Sequence, residues 1–500
     1  MKLSSLFSDH MVLQQQKPIR LWGEGVGAVT VRLADVTATA PCVDGVWQAE
    51  LPPMAAGGPY TLTLQDAVGE VALTDVMLGE VWLAAGQSNM EHPLFSSEDG
   101  FAAADAADLP QIRFFTVPRR NEAGQDRYGW HFEAVRSVDT PWQVCTPETA
   151  LHFSAIGFYF ARHLQVEKGV AVGVISCNYG GTRIEPWIDP ATIAADPRFA
   201  MVRQRVDTAL EGLDLEEYEA VYQAYRDEMD AQCQSADAVA KAKELGPYAF
   251  GRYNCIDWPK EPPFGPKWQN WPGVLYENMT ASIVPYALRG VLWYQGESSR
   301  NDAPYYFDMF AAYAQQCRRD FRDERLPIFT VQLAPYVCDP PFSWARMVEQ
   351  QVRIAKEQEG VYLITTGDIG EYGNIHPMYK RQFGERLWLA ANKVVYGGEA
   401  EYCGPLYAGH TVEGDALRVT FTHTVGGLTV KDTPDFTLCG EGGVFHPATA
   451  TVEGDTLLVH SPEVPYPVHI RYGFADQFRL SLFNGDGFPA APFRTDCFDK

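Results

Sequence analysis

Residues 81–90 read Val81-Trp82-Leu83-Ala84-Ala85-Gly86-Gln87-Ser88-Asn89-Met90, an apolar run that ends in a glycine followed closely by a serine. Such runs are typical of strands that are buried on both faces of a parallel sheet. Similar runs follow along the chain, at residues 170–175, 290–294, 328–333 and 361–365. Segments with helical spacing alternate with them, at residues 154–164, 306–321 and 343–356. This alternation predicts an α/β core built on a parallel sheet.

Both ends of the chain show a different pattern, in which short segments with β-type alternation are separated by turn residues. Examples near the start and near the end lie at residues 28–33, 60–64, 417–421 and 456–460. The sequence therefore predicts β-sandwich-type regions before and after the α/β core.

Five hundred residues exceed what one ordinary hydrophobic core requires, so we expect several domains. After the second apolar run, a charged helical stretch and then a Pro/Trp/Gly-rich segment at residues 246–273 interrupt the strand series. This segment either lines the mouth of a pocket or serves as a structural cover. We predict an N-terminal β-domain at residues 1–76 and a catalytic domain at residues 77–400, with a helical insertion at about 190–270. A C-terminal β-region is predicted at residues 401–500.

The composition indicates a folded protein that does not bind nucleic acid. Hydrophobic residues make up 46% of the chain and charged residues 21%, and the formal net charge is -24. Because a strongly negative chain repels phosphate, nucleic acid is excluded as a partner. The chain contains no apolar run of roughly 18 residues or more, so we expect no membrane partner. The oligomeric state is not indicated by the sequence.

The cysteines and the start of the chain bear on cofactors and location. The ten cysteines are spread singly and form no C-x-x-C pair, so neither a zinc cage nor a thioredoxin-type motif is indicated. We expect mostly reduced and buried thiols, no metal and no cofactor. The first residues lack the apolar segment of a signal peptide. As written, the chain is expected to be cytoplasmic, or secreted or periplasmic if a leader has been trimmed from it.

Polar residues follow four of the apolar runs, at the strand ends where the sites of open α/β sheets assemble. Ser88 follows the first run, the pair Gly180-Gly181 the second, Gln295 the third and His376 the fifth. A serine hydroxyl needs a base to become a nucleophile, and histidine can be that base. Glycine amides and a glutamine side chain can donate hydrogen bonds to an oxyanion. In combination, these residue types predict acyl transfer.

Each of these residues also fits a structural role. A serine after a strand is commonly a turn or helix-capping residue, and paired glycines fit an ordinary strand-to-helix turn. Glu297 either binds sugar hydroxyls or supports its loop, and we favour loop support. Pro377 suits the first position of a helix, which would put His376 at the junction of a loop and a helix.

Four short blocks carry a resemblance to a known family: GQSNM at 86–90, GGTRIE at 180–185, WYQGE at 293–297 and IHP at 375–377. They are similar to the blocks of sialate O-acetylesterases, which belong to the SGNH-hydrolase superfamily. FSDHMVLQQQKP near the start and FPAAPFRTD near the end are also similar to family sequence, so the resemblance covers almost the whole chain. The blocks are less specific for the substrate, because acetylxylan esterases share similar ones.

The resemblance implies a flavodoxin-like three-layer core flanked by β-domains. It also implies cofactor-free hydrolysis of O-acetyl esters, of the 9-O-acetyl type, on a sialic acid or sialoglycan. Ser88 would attack the acetyl carbonyl, and His376 would take its proton and pass it to the leaving sugar oxygen. The Ser88 amide, an amide of Gly180 or Gly181, and the Gln295 side chain would hold the oxyanion.

The chain departs from the family pattern beside His376. Family members commonly carry an aspartate two residues before the histidine, and SGNH enzymes more generally carry one three before. Here those positions are Asn374 and Gly373. The third triad member is therefore open: Asp368, Asn374 or a backbone carbonyl could orient the ring, or a Ser-His dyad could suffice. The family also often has an asparagine where this chain has Ser299.

The candidates for binding substrate are polar residues beside these blocks, namely Gln87, Asn89, Arg183, Glu297 and Arg300. A guanidinium suits the carboxylate of a sialic acid because it can bind it in bidentate geometry. Arg183 and Arg300 fit structural ion pairs equally well.

Two other functions stay open at the level of sequence. A deacetylase of a polysaccharide such as xylan shares the mechanism but needs no cationic subsite. A carbohydrate-binding homologue with a decayed esterase site is suggested by the absence of an aspartate at position 374. A metal-dependent phosphoesterase is not expected, because the sequence lacks the H-E-x-x-H spacing.

Overall fold

A computed structural model describes residues 1–118, 140–245, 256–431, 435–478 and 480–498. Its contacts divide the chain into two compact units. The first comprises Met1–Leu292 and Asp308–Pro327, and the second comprises Trp293–Phe307 and Ile328–Lys500. Residues 246–255, which belong to the predicted insertion, lie outside the described residues. The domain boundaries expected from the sequence stay predictions.

The first unit begins with short strands and continues into a larger sheet. Its strands are β1 (Lys2–Leu3), β2 (Val12–Gln14), β3 (Ile19–Glu24), β4 (Ala28–Leu33), β5 (Val36–Pro41), β6 (Val46–Leu51), β7 (Gly57–Gln65), β8 (Glu70–Gly86), β9 (Leu109–Thr116), β10 (Gln143–Cys145), β11 (Ala171–Asn178) and the start of β12 (Gly290–Tyr294). Strands β1, β3 and β6 form a small antiparallel sheet. In the larger sheet, β10, β9, β11, β8 and β12 are neighbours in that order.

Strand β8 joins two kinds of pairing within 17 residues. Its first part pairs antiparallel with β7, and its second part pairs parallel with β11, where Gly86 lies opposite Asn178. Residues 70–75 alternate between exposed and half-buried, whereas every residue from 76 to 86 is buried. A strand segment with one solvent-exposed face thus continues into a segment that is covered on both faces. The sheet is therefore mixed, and the expectation of a parallel sheet needs this correction.

The helices of the first unit cover the segments between its strands. They are α1 (Ser88–Glu91), α2 (Gly100–Asp105), α3 (Pro147–Leu151), α4 (Ala155–Lys168), α5 (Pro190–Ala195), α6 (Ala200–Leu210), α7 (Leu215–Gln234), α8 (Ala236–Leu245) and α9 (Val274–Asn278), and α10 (Ala303–Asp320) belongs to both units. Helix α4 begins after Ser154, whose hydroxyl accepts a hydrogen bond from the Gly157 N–H at 3.1 Å. Helices α5 to α8 confirm the helical stretch predicted after residue 190.

The second unit combines a parallel strand pair with an antiparallel β-region. Strands β13 (Ile328–Val331) and β14 (Val361–Ile364) are parallel, and helices α11 (Ser343–Glu357) and α12 (Lys380–Tyr396) follow β13 and β14 along the chain. The later strands are β15 (Leu406–Glu413), β16 (Ala416–Thr422), β17 (Leu428–Val430), β18 (Phe436–Cys439), β19 (His446–Glu453), β20 (Thr456–His460), β21 (His469–Tyr472), β22 (Leu482–Asn484) and β23 (Phe493–Arg494). Apolar side chains such as Leu417, Val459 and Ile470 are fully buried there. The β-character expected toward the end of the chain is confirmed.

Helix α12 begins later than the sequence suggests. It begins at Lys380, so Pro377 precedes the helix and is not its first residue. The Met378 N–H donates to Glu371 Oε2 at 2.7 Å, and the Lys380 N–H donates to Met378 O at 2.8 Å. These bonds hold residue 378 in a loop conformation, and His376 consequently lies within that loop.

Two general features concern thiols and membranes. Of the nine cysteines that the structure describes, five are buried. Within the described ranges, no helix combines the length and the apolar character that crossing a bilayer requires.

Candidate active site

Ser88 lies at a sharp turn at the end of β8. Gly86, the last residue of the strand, has φ +136°, a backbone conformation that residues with a side chain rarely adopt. Helix α1 begins two residues later at Ser88 itself. Ser88, Gln87 and Asn89 are all buried, with exposed fractions of 6%, 2% and 1%. The glycine thus allows the chain to reverse and sets the hydroxyl in an enclosed environment.

The glycine pair of the second block lies beside this serine. Because Asn178 is opposite Gly86 in the sheet, the loop after β11 emerges next to the turn after β8. A Cβ added to Gly180 would lie 3.3 Å from the Cβ of Ser88. The Gly180 N–H donates to Glu91 Oε2 at 2.8 Å. The absence of a side chain at Gly180 therefore permits a close approach of the two backbones.

The next residues of this loop are held by the helical insertion and by the Pro/Trp/Gly-rich segment. The Arg183 N–H donates to Asn270 Oδ1 at 2.7 Å. The carboxylate of Glu185, 1% exposed, accepts a hydrogen bond from the guanidinium of Arg205 on α6. Glu185 therefore has a structural ion-pair partner, and the backbone of Arg183 is anchored.

Gln295 and Glu297 follow β12 in the second unit. Gln295 is fully buried, and its Nε2 donates to the Ser299 hydroxyl at 3.0 Å. Its backbone carbonyl oxygen accepts from the side chains of Gln351 and Tyr306, both at 3.2 Å, which holds the backbone at this position. The bond to Ser299 orients the side-chain amide, and an oxyanion donor requires such an orientation. Glu297 is 2% exposed, and its role stays a prediction.

The loop that carries His376 is held by Asn374 and Glu371. Asn374 Oδ1 accepts the His376 backbone N–H at 3.0 Å, and Asn374 Nδ2 donates to Glu371 Oε2 at 3.3 Å. Both oxygens of Asp368 accept hydrogen bonds from Arg386, at 2.7 and 2.6 Å. The two candidates for a third triad member thus have defined partners, and their role toward the imidazole stays a prediction.

The electrostatics of this loop favour a neutral imidazole. Burial, assisted by the positive charge of Lys380, lowers the pKa of His376 to about 4. Lys380 is itself fully buried, and burial lowers its pKa to about 7 against the opposing charges of Glu297 and Glu371. Its Nζ lies 5.3 Å from the centroid of the Phe383 ring, a cation–π contact. At neutral pH, His376 is consequently in the form that can accept a proton.

Three residues near these blocks carried no signal in the sequence analysis. Glu91 lies three residues after Ser88, one helical turn away, which is the spacing that could have identified it. Lys380 is the first residue of α12, and His376 lies in the loop before that helix, so no helical spacing relates the two residues. Asn270 contacts residues nearly ninety positions away, at separations of 87 and 89, so no local pattern marks it.

Each unit offers distinct chemical groups. The first has a buried hydroxyl with a glycine backbone packed beside it, and the second has a neutral imidazole and an oriented amide. These are the groups that acyl transfer requires. Within the described ranges, no cluster of three or more histidine, cysteine, aspartate or glutamate side chains is arranged to hold a metal ion. The catalytic and binding roles of the named residues stay predictions.

Comparison with known proteins identifies relatives along most of the chain. The family model of carbohydrate esterases described as sialic acid-specific acetylesterases matches residues 78–239 and 257–392, more than half of the chain. Sialate O-acetylesterase of Rattus norvegicus is 26% identical over 445 residues, which cover 81% of this chain and 76% of the rat protein. The Homo sapiens enzyme is 24% identical over 446 residues, which cover 81% of this chain and 73% of the human protein.

A solved structure is similar over nearly the full length. It is a carbohydrate acetylesterase from Xanthomonas citri, 30% identical, with a TM-score of 0.79, and the match covers 99% of this chain and 100% of that chain. This similarity supports the mixed sheet with β-rich flanking regions. The chain therefore belongs to the carbohydrate esterase family of sialic acid-specific acetylesterases, and it is an ester hydrolase.

Proposed function

We propose that this chain removes O-acetyl groups from sialic acids, 9-O-acetyl esters in particular, by a serine acyl-enzyme mechanism. The observation that carries this proposal is the enclosed turn at Ser88, where a glycine-permitted reversal follows β8 and the Gly180 backbone packs against the serine. The family and its curated relatives, sialate O-acetylesterases, supply the substrate class. We further propose that the sheet and its helices form the three-layer core of SGNH hydrolases.

The first half-reaction transfers the acetyl group to the enzyme. Ser88 Oγ attacks the acetyl carbonyl carbon while His376 accepts the hydroxyl proton. The negative charge that develops on the carbonyl oxygen is stabilised by the Ser88 amide, a glycine amide at 180 or 181, and Gln295 Nε2. When the intermediate collapses, the C–O bond to the sugar breaks, and His376 returns the proton to the leaving sugar oxygen.

The second half-reaction releases acetate. A water molecule takes the place of the sugar, and His376 accepts its proton as the water oxygen attacks the acetyl carbon of the ester on Ser88. Collapse of this second intermediate breaks the bond to Ser88 Oγ, which regains its proton from His376. Each half-reaction needs the imidazole neutral at its outset, and the lowered pKa of His376 supplies that state at neutral pH.

The proposed mechanism requires neither Asp368 nor Asn374 as a third triad member. Two contacts support this form: Asp368 is bound by Arg386 through both oxygens, and Asn374 Oδ1 accepts the backbone N–H of His376. An asparagine would in any case offer no charge to the imidazolium.

The substrate subsite is proposed from the residues beside the blocks. Arg183 and Arg300 are the cations expected to meet the sialic acid carboxylate, since arginine binds carboxylates in bidentate geometry. Gln87 and Asn89 border Ser88 and are expected to bind sugar hydroxyls. The Nη1 of Arg300 donates to Glu297 O at 3.0 Å, which leaves other guanidinium donors of Arg300 for this purpose.

Acetate release from two substrates tests the proposal. Wild type and Ser88→Ala are assayed on 9-O-acetylated sialic acid and on acetylated xylo-oligosaccharide at equal concentration. We expect wild type to prefer the sialic acid and the variant to release acetate at the background rate. A preference for the xylo-oligosaccharide would support a polysaccharide deacetylase instead, and a wild type no faster than Ser88→Ala on either substrate would leave only a carbohydrate-binding role.

A further inference from the structure

The Pro/Trp/Gly-rich segment contacts the glycine loop through the side chain of Asn270. Its Nδ2 donates to Gly181 O at 3.0 Å, and its Oδ1 accepts the Arg183 N–H at 2.7 Å. One amide group therefore binds both the backbone carbonyl and the backbone N–H that flank Thr182. This is the pairing by which a side-chain amide replaces a strand partner, and it fixes the loop at two points.

The turn that carries Asn270 is itself held in place by hydrogen bonds and burial. Asn270 lies in a turn between Trp268 and Trp271, which are 8% and 4% exposed, and the Trp271 N–H donates to Trp268 O at 2.8 Å. Two residues further, the Gly273 N–H donates to Glu185 O at 3.1 Å, at the end of the same block. The segment is consequently joined to the block by one backbone hydrogen bond, at Glu185, and by the two hydrogen bonds of the Asn270 side chain.

Three backbone groups of the loop have side-chain partners. The Gly180 N–H donates to Glu91 Oε2, and the Gly181 carbonyl and the Arg183 N–H are bound by Asn270. By contrast, no described residue accepts a hydrogen bond from the Gly181 N–H. Gly181 has φ +72°, and a Cβ added to it would meet nothing within 4 Å. A backbone donor that has no partner among the described residues is available for a ligand.

We propose that Asn270 is a positioning residue that holds the glycine loop so that the Gly181 N–H serves as the oxyanion donor. This inference rests on the proposed function and selects one of its two glycine candidates, since the N–H of Gly180 is bound to Glu91. The physical reason is preorganisation. A donor stabilises the tetrahedral intermediate fully only if it is already oriented, and a misplacement of about 1 Å costs up to roughly 100-fold in rate.

The test compares Asn270→Ala and Asn270→Asp with wild type in p-nitrophenyl acetate hydrolysis. The alanine removes both bonds, and the aspartate retains the acceptor for Arg183 but puts a negative charge against Gly181 O. We expect both variants to lower kcat about 10- to 100-fold with KM changed less than about threefold, because the loss falls on the transition state. The control is Asn278→Ala, which removes a side-chain bond of similar length, from Asn278 Nδ2 to Val274 O at 2.8 Å, away from the loop.

Three outcomes would overturn the inference. One is an unchanged kcat in both Asn270 variants. Another is a rise in KM with kcat unchanged, which would assign Asn270 to substrate binding. The third is an equal fall of kcat in Asn278→Ala at a matched loss of thermal stability, since that would reduce the effect to folding. Ser88→Ala separates this inference from the proposed function: if Ser88→Ala is inactive while the Asn270 variants are unaffected, only the role of Asn270 fails.

Discussion

Replacing Lys380 with methionine should move the acid limb of the pH–rate profile toward higher pH. Lys380 is fully buried four residues after His376, and its charge adds to the effect of burial in lowering the pKa of the imidazole to about 4 from an ordinary value of 6.5. The pKa of Lys380, about 7, means that the ammonium is charged throughout the range in which His376 titrates. Methionine keeps much of the volume and removes the charge.

The size of the shift follows from the order of the two causes. Only the neutral imidazole can accept the serine proton, so kcat/KM is level above the pKa of His376 and falls below it. Burial is the larger cause of the lowered pKa, so losing the charge of Lys380 should raise it by at most about one unit. A rise of one unit lowers the neutral fraction at pH 4 from about one half to about one tenth, a roughly fivefold loss of kcat/KM.

The assay is the pH dependence of kcat/KM for an acetyl ester, measured for wild type, Lys380→Met and Lys393→Met. Lys393 lies on the same helix, and its Nζ donates to Glu399 O at 3.0 Å, so the control removes a lysine that has no part in the His376 loop. We expect the acid limb to shift in Lys380→Met alone. An acid limb that stays in place or moves to lower pH in Lys380→Met would refute the electrostatic reasoning, as would an equal shift in the control.

Three further substitutions test the site and its supports. Gly180→Ala puts a Cβ within 3.3 Å of the nucleophile's Cβ and should lower kcat at least about tenfold with a stability loss of about 1–3 kcal/mol, so wild-type kinetics would contradict the packing argument. Asp368→Asn weakens the pair with Arg386 and should cost about 1–2 kcal/mol in chemical denaturation while kcat stays within about twofold; a hundredfold fall in kcat would instead make the carboxylate part of a triad. Arg205→Ala leaves the buried carboxylate of Glu185 without its ion-pair partner and should lower the free energy of unfolding by about 3 kcal/mol. A change below about 0.5 kcal/mol would contradict a stabilising pair.

Local periodicity was sufficient for most of the fold. The run at 290–294 coincides with β12, and the helix expected at 343–356 is α11, one residue longer. These two elements could be predicted because their patterns involve residues that are close together in the chain. The same holds for Ser154, which caps α4. The run at 81–85 is a buried strand as predicted, but the sequence did not indicate that this strand, β8, begins at Glu70, because alternation and continuous apolarity look like two separate elements.

Interactions between distant residues account for what the sequence did not indicate. Pro377 suited a helix start, but the Met378 N–H is bound by the side chain of Glu371, seven residues earlier, and the helix begins at Lys380. Asn270 binds a loop that lies almost ninety residues before it. Such side-chain-to-backbone bonds need only one suitable residue at each end, so they leave no periodic trace in the sequence.

The central claim is that Ser88 is a nucleophile activated by His376. Covalent labelling with a fluorophosphonate, followed by peptide mass spectrometry, tests it directly, because this reagent reacts with activated serine hydroxyls. We predict that wild type is modified on Ser88, that Ser88→Ala is not modified, and that His376→Ala reacts at least about 100-fold more slowly. Modification of a different serine, or labelling of His376→Ala at the wild-type rate, would contradict it.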